Sequence, residues 1–159
     1  MVDEKAMRQA KNAFATLCEM LDYNKWTYDR DNENLTVKCG ANGEDIPIDI
    51  KIRVDADKQL AYLYSRLPFT VPEDDRIMMA LAVSAANFNM VDGNFDYNVK
   101  TGTIIFRLTS SIRESIIGHD MFEYMLFVSC GTVDNYNDKF EKVIKHTMSL
   151  EDFIKFSKE

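Results

Sequence analysis

Apolar and polar residues alternate along much of this chain, and the period of the alternation predicts its structural elements. From Ile46 to Val54 every second residue is Ile or Val, and positions 49, 51 and 53 between them are charged. This pattern is typical of a strand with one buried face and one wet face. Residues 59–67 have apolar groups on both faces, which predicts a returning strand that is covered on both sides.

Shorter alternating segments flank this pair. Residues around Trp26 and residues 35–39 predict two earlier strands, and residues 93–109 predict a hairpin with Gly102 in its turn. Pro68 has no N–H to donate, so we expect strand pairing to end there. The sequence therefore predicts an antiparallel sheet of about six strands, built from a meander and a hairpin.

A period of 3.6 residues predicts four helices, at residues 3–21, from Pro72 to about 88, at residues 119–147 and at residues 150–158. Pro72 is tolerated in a first helical turn, and the three acids at 73–75 would be favoured by the positive end of the helix dipole. A carboxylate binding site is the alternative interpretation of these acids. Residues 1–159 thus form one α+β domain, with the sheet packed against helices.

The helix after Pro72 is apolar all round, since Ser84 is the one polar residue from position 77 to 86. A helix of this kind is buried on all sides. We expect Ile77, Leu81 and Phe88 to cover the sheet. The opposite face is then predicted to be a homodimer or partner surface, made of Met78, Met79, Ala82 and Ala86. Cover by the long C-terminal helix is the alternative.

Charge and composition narrow the class of protein. The net charge of −7 argues against nucleic acid and against anionic membrane surfaces as partners. No apolar run approaches the ~20 residues that span a bilayer, and the charged N-terminal segment does not resemble a secretory signal. Three scattered cysteines indicate reduced thiols rather than disulfides. We therefore expect a cytoplasmic protein.

Candidate chemistry is sparse. The two histidines, His119 and His146, fall near opposite ends of the long helix, too far apart to share a site. No set of residues has the spacing of zinc ligands, of a calcium loop or of a phosphate-binding glycine loop. The sequence therefore predicts no metal, no cofactor and no enzymatic activity.

A set of proline, glycine, asparagine and aromatic positions carries a family likeness. The stretch "LPFTVPEDDR" precedes an apolar helix that ends in "ANFNM", and "GNFDYNVKTGTIIFR" follows. On these motifs most of the chain resembles the YbjN-like family of proposed bacterial sensory transduction regulators. The matching residues are Pro68, Phe69, Val71, Pro72, Arg76, Asn87, Asn89, Gly93, Phe95, Gly102, Phe106 and Arg107.

The resemblance implies a fold like that of type III secretion chaperones, commonly homodimeric, with a role in regulation or in binding other proteins. It implies no catalytic residues. Our first hypothesis is a non-enzymatic protein-binding module that binds a second copy and a protein or peptide. The alternative is a small-molecule sensor or enzyme with a pocket between the sheet and the long helix. Tyrosines motivate that alternative, and its predicted lining is Tyr62, Tyr64, Phe106 and Tyr136.

Overall fold

The computed structural model describes residues 3–158, which form one six-stranded sheet and four α-helices. The elements in chain order are α1 (Glu4–Tyr23), β1 (Tyr28–Asp31), β2 (Thr36–Asn42), β3 (Pro47–Asp55), β4 (Leu60–Thr70), α2 (Arg76–Phe88), β5 (Asn94–Asn98), β6 (Thr103–Ser111), α3 (His119–Ile144) and α4 (Leu150–Phe156). The predicted α+β class and the predicted order of elements are confirmed.

All neighbouring strands are antiparallel, and their order across the sheet is β1-β2-β3-β4-β6-β5. The first four strands form the predicted meander. Helix α2 then carries the chain past β4, so that the β5–β6 hairpin joins the sheet through β6. This arrangement leaves β1 and β5 as the two edge strands.

Alternation along β3 defines the two faces of the sheet. Ile48, Ile50, Ile52 and Val54 are buried on the face that contacts α1 and α3, and the residues between them are exposed. We call the opposite side the open face. The prediction that β4 is covered on both faces is wrong in one respect. On the open face Tyr62 and Tyr64 are shielded by each other rather than by a second layer of helices, with ring centroids 5.7 Å apart.

Pro68 does not end its strand, which corrects a second prediction. Strand β4 continues to Thr70, and the register with β6 shifts between Arg66 and Thr70. Proline is tolerated at such an irregularity because no ladder hydrogen bond requires its missing N–H. Val71 follows the strand, and its N–H donates to the Gly102 carbonyl at 2.9 Å.

A 3-10 turn at Glu73–Asp75 precedes α2, so the predicted acids do occupy the start of a helical segment. Asp75 is the buried member, and its Oδ1 lies 3.3 Å from Nε2 of His146, beyond the C-terminal end of α3. The core behind the sheet includes a cluster of aromatic rings in which Phe95 contacts Phe106, Tyr136 and Phe140. These rings fill the space between the β5–β6 hairpin and α3.

Candidate functional site

The predicted dimer face of α2 lies inside the chain. Met79 and Ala82 have no exposed surface, Ala86 is 1% exposed and Met78 is half-buried. Helix α2 packs against β5, α3 and α4, and the small alanines let its backbone come close to these neighbours. The assignment of Met79, Ala82 and Ala86 to an outward surface is therefore wrong, and the predicted alternative, cover by the long helix α3, describes part of their surroundings, since β5 and α4 also pack against α2.

The face that was expected to cover the sheet points outward instead. Ile77 is 70% exposed, Leu81 55% and Phe88 86%, and all three lie on one side of the helix. Ser84 and Ala85 fall between them at helical spacing. We call these five residues the α2 face. Periodicity alone cannot distinguish two apolar faces of one helix, and this explains why the two were exchanged.

Helix α4 extends the α2 face sideways. A groove of ≈ 360 Å³ runs along the outer side of the contact between α2 and α4. Its apolar lining residues are Leu81, Ala85, Phe88, Leu150 and Ile154. The Asn89 side-chain amide donates to the Ser157 carbonyl at 3.2 Å and ties the C-terminal end of α2 to α4. The exposed apolar surface is therefore continuous across two helices.

The ends of this surface carry opposite charges. Glu73 and Asp74 are exposed just before the N-terminal end of α2. Lys158 is exposed beside the groove at the C-terminal end of α2. No ion pair within residues 3–158 involves these three side chains. The strip between them contains no charged residue from Ile77 to Phe88.

Asn87 is a motif residue with a structural task. Its Nδ2 donates to the Phe95 carbonyl at 2.9 Å, and the Phe95 N–H donates to its Oδ1 at 2.8 Å. The amide thus takes the place of a neighbouring strand at the outer edge of β5. An edge strand with free N–H and C=O groups can pair with another chain, and at Phe95 this edge is already occupied.

The turn of the β5–β6 hairpin holds a second group of motif residues against α2. Gly102 has φ +72°, and a Cβ there would overlap the carbonyl oxygen of Val71. The Arg76 guanidinium donates through Nη1 to the Lys100 carbonyl at 2.8 Å. These contacts fix the start of α2 relative to the hairpin.

The remaining motif residues shape the hairpin and the end of β4. Gly93 has φ +77°, and a Cβ there would overlap the ring of Phe106. Arg107 pairs with Asp96 across the hairpin, with Nε 2.8 Å from Oδ2. Pro68 and Pro72 are exposed and Phe69 packs against the core. The contacts of these motif residues therefore maintain the fold.

The predicted pocket between the sheet and α3 is not formed by its four proposed residues. Phe106 and Tyr136 lie in the aromatic core around Phe95, whereas Tyr62 and Tyr64 stack on the open face. The sheet separates the two pairs. Sequence reasoning placed all four together because alternation does not say which side of a strand the helices cover.

The open face carries a depression of ≈ 530 Å³, which the sequence did not predict. It lies over β2, β3, β4 and β6 and is lined by Lys38, Cys39, Asp49, Ile50, Lys51, Tyr64, Arg66 and Ile105. Burial raises the pKa of the Tyr64 hydroxyl, so Tyr64 is neutral at physiological pH. The depression thus has an aromatic and aliphatic floor with cations around it.

Titratable groups elsewhere are dispersed. Nε2 of His119 lies 3.6 Å from Oε2 of Glu19, and Nε2 of His146 lies 3.3 Å from Oδ1 of Asp75. The two histidines are at opposite ends of α3, about 40 Å apart at 1.5 Å per residue. Burial raises the pKa of the Cys39 thiol to about 12 and raises the pKa of Cys18 and Cys130 as well. These thiols are protonated at neutral pH.

Residues 3–158 contain no group of three or more His, Cys, Asp or Glu side chains placed to hold a metal ion. Over the same residues, no helix has the length and apolar character needed to cross a bilayer.

Comparison with known proteins gives one similarity in fold. No protein-family model matches the chain, and no curated protein matches its sequence. Among solved structures, the chain is similar to the crystal structure of YbjN from E. coli, described as a proposed transcription regulator. The TM-score is 0.56 at 12% identity, and the match covers 76% of this chain and 85% of that chain. At this identity the likeness shows a shared α+β fold alone.

Proposed function

We propose that this protein is a non-enzymatic protein-binding module that acts as a homodimer, as a sensory transduction regulator or a chaperone-like holder of another protein. The observation that carries the proposal is the outward position of Ile77, Leu81 and Phe88 on α2. Single exposed apolar residues are ordinary, but a contiguous apolar strip on one helix marks an interaction site. The similarity to YbjN in fold is compatible with the regulatory role.

A second copy of the chain is the occupant that the charges favour. In a twofold pairing with antiparallel α2 helices, the acidic start of one helix meets the C-terminal end of the other. Glu73 and Asp74 of one copy would then approach Lys158 of the second copy. The uncharged strip between them can face itself without repulsion, so the surface is complementary to itself.

The same geometry brings complementary shapes together. A helix of 13 residues is about 20 Å long. One face of α2 is therefore too small to supply by itself the ~800 Å² that each partner buries in a standard interface. The α2–α4 groove supplies additional surface. In the antiparallel pairing, Ile77 of one copy lies beside Phe88 and Ile154 of the second, where the groove can accept it. Helix α4 is therefore part of the proposed interface.

Light scattering of the purified protein over a dilution series tests this proposal. We expect twice the chain mass of 18.4 kDa for the wild type. Leu81→Arg places a charge in the centre of the α2 face and should give a folded monomer. The matched control is Ile116→Arg, at a residue that is 98% exposed in the loop before α3, and it should remain a dimer.

Two results would contradict the proposed dimer. A wild type that scatters as a monomer at every concentration removes the interface altogether. A Leu81→Arg variant that keeps its circular dichroism spectrum and still scatters as a dimer places the interface elsewhere. The exposed Phe127 on α3 would then be the next residue to change.

A further inference from the structure

The open face has a concentration of cations that the fold does not require. Lys38 on β2 is the direct cross-strand partner of Lys51 on β3, and Lys51 is the partner of Tyr64 on β4. Like charges opposite one another destabilise a sheet. In a chain of net charge −7, two adjacent lysines in one row of the sheet are a local conflict of the kind that occurs at functional sites.

These cations are also free to bind an anion. Within residues 3–158, Lys38, Lys51 and Arg66 form no ion pair, although Arg53 and Arg107 on the same face pair with Asp55 and Asp96. Asp49 is the one carboxylate that lines the depression. Asp29 on β1 is the cross-strand partner of Lys38, so three cations lie near two carboxylates, which leaves an excess of one positive charge around the depression at neutral pH.

Tyr64 gives the depression a flat wall. Its ring is stacked on Tyr62 with an interplanar angle of 6°, so one side of the Tyr64 ring is occupied. The depression is lined by Tyr64, Arg66 and Ile105 but not by Tyr62, and it therefore lies on the free side of the ring. A planar group placed there would continue the stack of rings, with the Arg66 guanidinium beyond it and Ile105 beneath.

We propose that the open face binds a small aromatic molecule that carries a negative charge, such as an aryl carboxylate. The ring stacks on Tyr64, and the anionic group pairs with Lys38 and Lys51. The volume of ≈ 530 Å³ falls within the range of small-molecule sites. No residue that lines this site belongs to α2 or α4, so the site does not depend on the proposed dimer.

A small molecule fits this position better than a peptide. The depression lies where β3 and β4 diverge, since their pairing ends at Lys51 and Tyr64 and the depression extends beyond them to Asp49 and Arg66. The outer sides of these strands are paired with β2 and β6, so an extended peptide would have to insert between β3 and β4 to gain the main-chain hydrogen bonds that give such peptides their affinity. The two edges of the sheet, β1 and β5, are the places where a peptide could gain them.

The test is a titration of ¹⁵N-labelled protein with 1-naphthoate, followed by amide chemical shifts. At the efficiency of ordinary ligands, a molecule of this size binds with a Kd of about 1 mM or tighter. We expect the shifts to centre on Lys51, Tyr64 and Ile105. Neutral 1-naphthalenemethanol should bind at least threefold more weakly, because it lacks the anionic group.

Variants separate this site from other apolar surfaces. Tyr64→Ala should weaken binding about tenfold, and Lys51→Gln at least threefold. Arg53→Gln is the matched control, since Arg53 lies two residues along β3 on the same face but outside the depression. It should leave the Kd unchanged.

Three results would overturn the proposal. Shifts that centre on the α2 face would show that the naphthyl ring merely finds exposed apolar surface. Equal affinity for the neutral analogue would remove the role of the lysines. An absence of shifts up to about 10 mM, tenfold above the expected Kd, would show that the depression binds no aryl carboxylate.

Discussion

The side chain of Asn87 forms two hydrogen bonds with the backbone of Phe95, one to its carbonyl and one from its N–H, at 2.9 and 2.8 Å. A single amide at the end of α2 thereby replaces the strand that would otherwise continue the sheet beyond β5. Phe95 is 2% exposed, and its ring contacts Phe106 and Phe140. The pair of bonds therefore aligns α2, β5 and the aromatic core.

Removing this amide should cost substantial stability. Asn87→Ala leaves the Phe95 N–H and C=O without partners, and we expect the free energy of unfolding to fall by about 1–3 kcal/mol. Asn89→Ala is the control, since Asn89 is exposed and forms one bond to Ser157. Its cost should be below about 1 kcal/mol. Urea unfolding of both variants measures the difference, and equal losses would show that the amide bridge has no special role.

Two glycine-to-alanine substitutions should change the stability of the protein in opposite directions. Gly102→Ala adds a Cβ that overlaps Val71 and keeps a φ of +72°, so we expect a loss of at least about 2 kcal/mol. Gly131 lies within α3 with no atom within 4 Å of an added Cβ. Gly131→Ala should therefore raise stability by up to about 1 kcal/mol. Thermal unfolding of both variants measures the two changes in stability. A stabilising Gly102→Ala would contradict the close approach of Gly102 to Val71.

Strand patterns were the most informative part of the sequence. The alternation from Ile46 to Val54 predicted β3 and its buried face correctly. A strand with one apolar and one charged face can be oriented against a core in only one way. The positions of Gly102 and Pro72 likewise indicated a turn and a helix start, since each residue has a restricted backbone role. The fold class followed from these elements and their order.

The candidate surfaces could not be predicted in the same way. Helix α2 is apolar on every side, so the spacing of its apolar residues did not show which side faces outward. Ala82 was therefore predicted on the outer surface, where the structure has Leu81. Small residues were the available signal, because the face that packs closest to its neighbours favours alanine. The depression beside Tyr64 was missed because Lys38 and Lys51 are adjacent only across the register of β2 and β3.

The proposed ligand site also makes a prediction about the free protein. Lys51→Gln removes one member of the like-charged pair with Lys38, so we expect stability to rise by a few tenths of a kcal/mol. Arg53→Gln loses the 3.5 Å ion pair with Asp55 and should give no gain. Urea unfolding at low and high salt checks both, since added salt should shrink the gain. A destabilised Lys51→Gln would indicate that Lys51 serves the fold itself.

The central claim is that two copies meet through the α2 face, and a cysteine at its centre tests it directly. The native thiols give little background, because burial raises their pKa, to about 12 for Cys39, whereas an exposed thiol has a pKa of about 8.5. Ser84→Cys lies on the α2 face, and Ser115→Cys is an exposed control in the loop before α3.

Mild oxidation at pH 8, followed by a non-reducing gel, is the measurement. We expect Ser84→Cys to form a covalent dimer at a rate that does not fall on dilution, because antiparallel α2 helices bring the two Ser84 positions together near the twofold axis. Ser115→Cys and the wild type should stay at 18.4 kDa. A Ser84→Cys variant that stays monomeric, or that cross-links no faster than Ser115→Cys, would contradict the proposed interface.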